Sequence, residues 1–273
     1  MTTNQLKVAS GIPPEKREAP TTFPAMLEAY KAQIALALPQ HMRADRMARI
    51  ALTCFRMNPR LAQCTPASVF AAIIQAAQLG LEPGLMGQAY LIPYGDQCQL
   101  IPGYQGLLDL VRRTDRVNVI ESHIVFDRDH FKVQFGTDPR ITHEPYFEGD
   151  PGTMRLAYAV AQFKGGGWHT EVMSRVAIEK IRDRSQNVQR AKKAGKTTPW
   201  DTDTEEMWRK TVLRRICKFL PKSPELAMAL ALDDAASHGA QGINIDDAIA
   251  NTFTPPPIEG ESAQEGDGEQ GTA

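Results

Sequence analysis

The chain lacks the features that secreted, membrane-spanning and zinc-binding proteins need. Its four cysteines form no Cys-x-x-Cys pair, which is typical of reduced thiols in a cytoplasmic protein. The first twenty residues contain no apolar run of a signal peptide, and no apolar stretch is long enough to span a bilayer. The six histidines show no paired spacing, and no Gly-x-Ser-x-Gly motif is present. We therefore expect a cytoplasmic protein without a catalytic nucleophile or a metal site.

The near-neutral net charge hides a separation of acidic and basic residues along the chain. The formal net charge is -1, but nine acidic residues and no lysine or arginine follow residue 232. Residues 1–232 therefore carry an excess of eight positive charges, and residues 174–222 alone contain 14 basic and 6 acidic residues. Such asymmetry favours binding to nucleic acid or another anionic surface, although a solvated basic helix has the same composition.

Composition divides the chain into three parts. Residues 1–22 are polar and contain several prolines, which predicts a flexible N-terminal arm. Residues 238–273 are rich in Gly, Asp, Glu, Gln and Pro, which predicts a disordered acidic tail. Residues 23–237 carry the apolar periodicity of a folded core.

Helical and strand patterns alternate along this core, which predicts an α+β fold with a mixed sheet of hairpins and packed helices. Gly95-Asp96 fits a two-residue hairpin turn, and the three glycines at 165–167 fit a second hairpin. Helices are predicted at 24–38, 44–57, 65–80, 104–114, 174–185, 205–220 and 224–236. Strands are predicted at 88–94, 97–101, 117–126, 131–136, 141–146, 155–163 and 168–173. The polar stretch 186–198 is predicted to be a lysine-rich loop.

The helix predicted at 205–220 carries a candidate binding surface. Lys210, Arg214 and Lys218 are spaced i, i+4 and i+8, so they form one basic stripe, and Arg215 flanks the apolar arc of the same helix. That arc should pack into the core and consists of Trp208, Val212, Ile216 and Phe219. The stripe lacks the alternating acidic residues of an ordinary soluble helix, which favours contact with a row of phosphates. An amphipathic helix with a solvated polar face remains the alternative.

The segment 80–116 supplies further candidates. Arg112 and Arg113 close the helix predicted at 104–114, where they contact phosphate or interact with the helix dipole. Tyr104 and Gln105 begin that helix, where backbone N–H groups can meet an anion. Tyr90, like Tyr104, either stacks on bases or packs within the hairpin.

Other motifs point to weaker alternatives. Residues 192–197 end like a nucleotide-binding P-loop, but Arg190 occupies the position of its first glycine. Asp127, Asp129 and His130 could belong to a metal-dependent nuclease, or to a polar turn between two strands. The turn reading needs no further carboxylates and is the more economical.

Two ordered blocks of sequence resemble the RecT/Red-beta family of phage single-strand annealing proteins. The first block comprises residues 80–84 (GLEPG), 89–95 (AYLIPYG) and 101–113 (IPGYQGLLDLVRR). The second comprises Pro199-Trp200 and residues 206–221 (EMWRKTVLRRICKFLP), and is most similar to the RecT branch. With residues 38–42 (LPQHM), the resemblance spans residues 25 to 225 approximately.

The resemblance implies an α+β fold and a specific activity. Members of the family bind single-stranded DNA and anneal complementary strands without ATP in phage recombination, including strand invasion and exchange. By this resemblance, residues 23–237 form the DNA-binding, annealing and oligomerisation core. The residue patterns described above give the predicted DNA-binding residues as Tyr104, Gln105, Arg112, Arg113, Lys210, Arg214, Arg215 and Lys218.

The resemblance also implies partners. Family members assemble into rings or helical filaments and act with a phage-type 5'-3' exonuclease, and host single-strand binding protein is a further expected partner. No catalytic residue, metal site or cofactor is implied, and Mg2+ is expected only to modulate pairing. Backbone contacts by Lys and Arg leave base edges open to pair, which suits annealing. A nuclease and a sequence-specific DNA-binding or scaffold protein remain the alternative classes.

Overall fold

A computed structural model of the chain describes residues 22–40, 42–84 and 86–237. The predicted acidic tail and, apart from Thr22, the predicted N-terminal arm lie outside the described residues. Helices and strands are mixed along the described part, so the predicted α+β class is confirmed. Among the described residues, no helix combines the length and apolar composition needed to cross a bilayer.

The helices follow the predicted order, with two short helices that the pattern does not predict, at 199–202 and 59–63, and three further differences. The helices are α1 (Phe23–Ala29), α2 (Lys31–Ala37), α3 (Ala44–Met57), α4 (Pro66–Leu79), α5 (Tyr104–Arg113), α6 (Arg175–Arg184), α7 (Gln186–Lys193), α8 (Pro199–Thr202), α9 (Thr204–Cys217) and α10 (Pro224–Ser237), with a 3-10 helix at Pro59–Gln63. The pattern at 24–38 is divided at Tyr30 into α1 and α2, and α9 ends three residues earlier than predicted. The predicted loop at 186–198 is wrong over its first eight residues, which form α7.

The strands form three antiparallel hairpins, and β3 adds to one of them by pairing antiparallel with β6. They are β1 (Ala89–Tyr94), β2 (Gln97–Pro102), β3 (Val117–Phe126), β4 (His130–Gln134), β5 (Arg140–Glu144), β6 (Met154–Phe163) and β7 (Trp168–Ser174). The described strands form three separate sheets, β1-β2, β3-β6-β7 and β4-β5, rather than the one mixed sheet that the pattern predicts. The predicted turn at Gly95-Asp96 is confirmed, because Tyr94 pairs with Gln97.

The three-stranded sheet receives α9 on a face of small side chains. Ala157, Ala159 and Ala161 alternate along β6 and are fully buried, whereas Tyr158 points to the opposite face, where its ring lies 5.2 Å from that of His123. Glu171 of β7 pairs with Ala159 and forms an ion pair with Arg215 of α9, which places α9 on the alanine face. Small residues let the helix approach the strands closely.

The apolar arc predicted for α9 is confirmed at three positions of four. Trp208, Val212 and Ile216 are buried. Phe219 is 54% exposed, so its predicted inward position is wrong. The reason is that α9 ends at Cys217, and Phe219 lies in the following turn with its ring 5.4 Å from that of His169.

The first half of the described chain packs around α4. Thr65 caps this helix by accepting a hydrogen bond from the Ser68 amide (3.3 Å), and Gly80 ends it in the left-handed conformation (φ 62°). Nine of its fourteen residues are buried, among them Phe70 and Ile73. Helices α1, α2 and α10 and strand β2 surround it. The packing of α4 therefore fixes the position of Gly80, where the segment between α4 and β1 begins.

Candidate nucleic-acid interface

The start of α5 lies directly on the segment that precedes β1. The Gly103 amide donates a hydrogen bond to the Gln88 carbonyl oxygen at 2.8 Å. A Cβ atom on Gly103 would overlap the carbonyl oxygen of Gly87, and one on Gly106 would overlap that of Gln88. Glycine is thus required at both positions by close approach, and it fixes how the first hairpin presents α5.

Tyr104 and Gln105 lie in the first turn of α5, as predicted. Gln105 is exposed and its side-chain amide donates to the Tyr104 hydroxyl at 2.9 Å. No side chain caps this end of the helix, because Gly103 occupies the cap position. Tyr90 packs beside Gly103 and stays 42% exposed. The surface therefore presents a helix N-terminus flanked by tyrosines, which is compatible with an anionic ligand.

Arg112 and Arg113, at the other end of α5, have different surroundings. Arg113 donates to the carbonyl oxygens of Leu79 (3.0 Å) and Gly80 (2.6 Å), and it pairs with Asp109. It therefore holds the C-terminus of α4, which is a structural role. Arg112 is exposed and forms no ion pair with a carboxylate in the described part of the chain.

Arg112 lies near α9. Burial raises the pKa of the Cys217 thiol to about 12, and the positive charge of Arg112 works against that rise. Because such an effect requires proximity, the basic end of α5 lies close to Cys217 in the last turn of α9, and the two helices pack together. About 13 Å of helix separates this end of α5 from Tyr104.

The stripe on α9 is neutralised by acidic residues from another helix. Arg214 binds Asp233 of α10 through two nitrogens, and its Nε lies 3.1 Å from Asp233 Oδ2. Lys218 Nζ lies 2.9 Å from Asp234 Oδ1. The interpretation of an exposed stripe without acids is therefore wrong, because α10 folds back and supplies them.

Arg215 also has an acidic partner. Its Nε donates to Glu171 Oε2 on β7 at 2.8 Å, while the side chain stays half-exposed. Lys210 differs, since burial lowers the pKa of its amine, Arg214 lowers it further, and Asp233 opposes both. Of the predicted α9 residues, Lys218 and Arg215 keep the most accessible side chains.

Asp127 and Asp129 stabilise the turns around them by accepting hydrogen bonds. Buried Asp129 accepts hydrogen bonds from the amides of Phe126 (2.7 Å) and Tyr146 (2.9 Å), and it contacts His143 Nε2 at 3.1 Å. Asp127 accepts from the amide and hydroxyl of Thr153. Within 22–40, 42–84 and 86–237, no group of three or more His, Cys, Asp or Glu side chains is placed to hold a metal ion.

Burial works to raise the pKa of Asp129, but the two amide donors and His143 outweigh it, so the pKa lies below its usual range. The carboxylate is therefore charged and fully engaged, as the polar-turn interpretation expects. His143 also contacts Tyr158, since its Nδ1 lies 3.1 Å from the Tyr158 hydroxyl oxygen. This network fastens the β4-β5 hairpin to the three-stranded sheet.

Two exposed basic residues on α3 are not among the predicted candidates. Arg49 and Arg56 lie two turns apart on one side of α3, and both are exposed. Neither pairs with a carboxylate among the residues that the structure describes. The sequence signal for this basic side is the i, i+7 spacing of the two arginines in a helix whose one acidic residue is Asp45.

Sequence comparison finds similarity to known proteins over most of this chain. The sequence profile of the RecT family matches residues 45–248. Protein RecT of Escherichia coli (strain K12) is 40% identical over 233 residues, which represent 82% of this chain and 82% of that protein. The profile match includes α5, α9 and α10, so it contains every residue predicted to contact DNA.

Proposed function

This chain belongs to the RecT family, and we propose that it is a recombination protein that binds single-stranded DNA and anneals complementary strands without ATP. The identity to Protein RecT over 82% of both chains carries the proposal. Strand invasion and exchange belong to the proposed activity.

The basic surface supports this activity physically. Arg112 on α5 is exposed, and Arg215 on α9 and Lys218 just after it keep about half of their side chains exposed although they pair with Glu171 and Asp234. The helices α5 and α9 pack together. Rigid cations of this kind neutralise phosphates and leave the base edges open for pairing. No covalent bond is made or broken in annealing, so the proposed activity needs no catalytic residue, and the proposed effect of Mg2+ is to modulate pairing.

Assembly and partners form the rest of the proposal. The chain forms rings or helical filaments around a core like that of other family members, with DNA bound across neighbouring subunits. A phage-type 5'-3' exonuclease supplies the single strands, and host single-strand binding protein is a further partner. The proposed location is the cytoplasm.

The test mixes two complementary oligonucleotides with the purified protein in the absence of nucleotide. We expect duplex formation to accelerate at low salt, with no change when ATP is added, and ring or filament assemblies in electron micrographs. Non-complementary strands serve as the control. An unchanged rate of pairing for matched strands would refute the annealing function, whereas strong preference among unrelated single strands would favour a sequence-specific binder.

A further inference from the structure

We propose that α7 and its flanks, residues 184–196, form a second phosphate-binding surface that holds DNA before and after annealing. The proposal rests on the proposed function and deepens it. This basic segment contains five basic residues and no acidic residue, namely Arg184, Arg190, Lys192, Lys193 and Lys196. All five are exposed.

The charges of the basic segment are not neutralised within the described chain. None of the five residues forms an ion pair with a described carboxylate, and Arg190 contacts only the amide oxygen of Gln186 at 3.4 Å. Lys192 is close enough to Asp183 to lower the pKa of that carboxyl, but the side-chain hydrogen bond from Arg182 to Asp183 is the larger cause. The segment thus keeps its full positive charge on the surface.

The preceding helix shows the contrast. On α6, Arg175 pairs with Glu179 at 3.1 Å, and Arg182 pairs with Asp183 at 2.9 Å. Two of the four basic residues of α6 therefore have an acidic partner close in sequence, whereas Lys180 and Arg184 form no ion pair with a described carboxylate. From residue 184 to residue 196 no acidic residue is present to supply such a partner.

Helix α7 contributes nothing to the core. None of its eight residues is buried. A helix this short is marginal without packing, and Arg190 and Lys193 repel each other across one turn. An external polyanion would remove that repulsion and stabilise the helix.

The composition of the basic segment selects phosphate over base as the group that it contacts. Residues 184–196 contain no aromatic side chain on which a base could stack. Lysine and arginine contacts to the sugar-phosphate backbone do not distinguish sequence, and they are available in single strands and duplexes alike. We therefore expect this surface to bind both the substrate strands and the annealed product.

The test compares two triple variants of the full chain. R190Q/K192Q/K193Q removes three charges from α7, and K31Q/K164Q/R175Q removes three from exposed side chains that already pair with carboxylates. Affinity for an oligo-dT strand and for a duplex is measured as a function of salt. The α7 variant should lose about 2 units of the slope of log affinity against log salt for the single strand, and affinity for the duplex should fall as well. The control should keep the wild-type slope.

Hydrogen exchange gives a second readout on the unsubstituted protein. Amides of residues 186–193 should exchange fast in the free protein and become protected when oligo-dT binds. An unchanged slope in the α7 variant, or absence of protection there, overturns this proposal while leaving the proposed function intact. Failure of the wild-type protein to bind oligo-dT at low salt overturns both, and binding to anionic vesicles in its place would identify a membrane-surface ligand.

Discussion

Arg214 and Lys218 belong to the same basic stripe, but their acidic partners differ in burial. The Asp233 side chain that binds Arg214 is 5% exposed, whereas Lys218 and Asp234 are both about half-exposed. Because Asp233 is buried, removing Arg214 should cost more free energy than removing Lys218, whose partner Asp234 is solvated. The stripe therefore contains one residue that holds α9 to α10 and one that is available to a ligand.

Substitution of these two residues should separate stability from binding. R214Q leaves a buried carboxylate without its guanidinium partner, and we expect the free energy of unfolding to fall by about 2–3 kcal/mol in urea titrations. K218Q should change it by less than about 1 kcal/mol while it weakens oligo-dT binding at low salt. Equal stability losses in the two variants would contradict the difference in burial.

Lys210 provides a test that depends on pH. Its pKa is lowered chiefly by burial, so the folded protein gives up this proton at a lower pH than the unfolded chain does. The charged amine destabilises the fold at neutral pH, and stability is recovered as pH rises toward the ordinary lysine value of about 10.4. K210M should raise the thermal midpoint at pH 7, and the gain should shrink as pH approaches 10. A midpoint below wild type at pH 7 would show that the charge is stabilising.

Among the elements, α5 depends on two close contacts with the preceding segment. A Cβ on Gly103 would overlap the Gly87 carbonyl oxygen, whereas one on Gly165 would meet nothing within 4 Å. G103A should therefore lower the free energy of unfolding by about 1–3 kcal/mol and displace the first turn of α5, and G165A should have little effect. Urea titration measures the loss of stability, and hydrogen exchange at the amides of α5 measures the displacement of its first turn. A G103A protein as stable as G165A would contradict the packing.

The β4-β5 hairpin depends on the carboxylate of Asp129. Because its pKa is depressed, the contribution of Asp129 to stability is full above the unfolded value of about 3.9 and is lost as pH falls below it. D129N places an amide against two backbone donors and should cost about 1–3 kcal/mol at pH 7. The gap to wild type should narrow as pH falls below about 3.9, as urea midpoints can show. Asp127, which is exposed, provides the control variant D127N, and a pH-independent gap would argue against the carboxylate's role.

Sequence patterns predicted those elements whose signals are local. The Gly95-Asp96 turn, the Thr65 cap and the apolar spacing of Trp208, Val212 and Ile216 each depend on neighbours within a few residues. The sequence of α7 predicts a loop, because the helix has no buried residue and so shows no apolar periodicity. The pairing of Arg214 with Asp233 joins residues from different helices, and spacing within α9 contains no information about it.

For the whole molecule, the distribution of charge along the chain should affect DNA binding more than the net charge does. Residues 238–273 contain seven acidic residues and no lysine or arginine, so a chain ending at residue 237 changes from a net charge of -1 to +6. We expect this truncation to raise the association rate and affinity for oligo-dT at low salt, because electrostatic attraction is no longer opposed. Stopped-flow fluorescence measures the rate.

A full-length chain with those seven acidic residues changed to Asn or Gln is the matched control for the truncation. It should reproduce the faster association if charge is the cause. Faster binding by the truncated protein alone would assign the effect to the removed segment itself, independent of its charge.

The fit of Gly103 and Gly106 against the carbonyls of Gly87 and Gln88 has a consequence for protein engineering. We expect residues 65–113 to behave as one module, because Gly103 and Gly106 lie against the segment before β1 and Arg113 binds the carbonyl oxygens of Leu79 and Gly80. Chimaeras between homologues should tolerate crossovers placed before Thr65 or after Arg113. A splice between Tyr94 and Gly103 would join a helix to a foreign backbone and should yield insoluble protein.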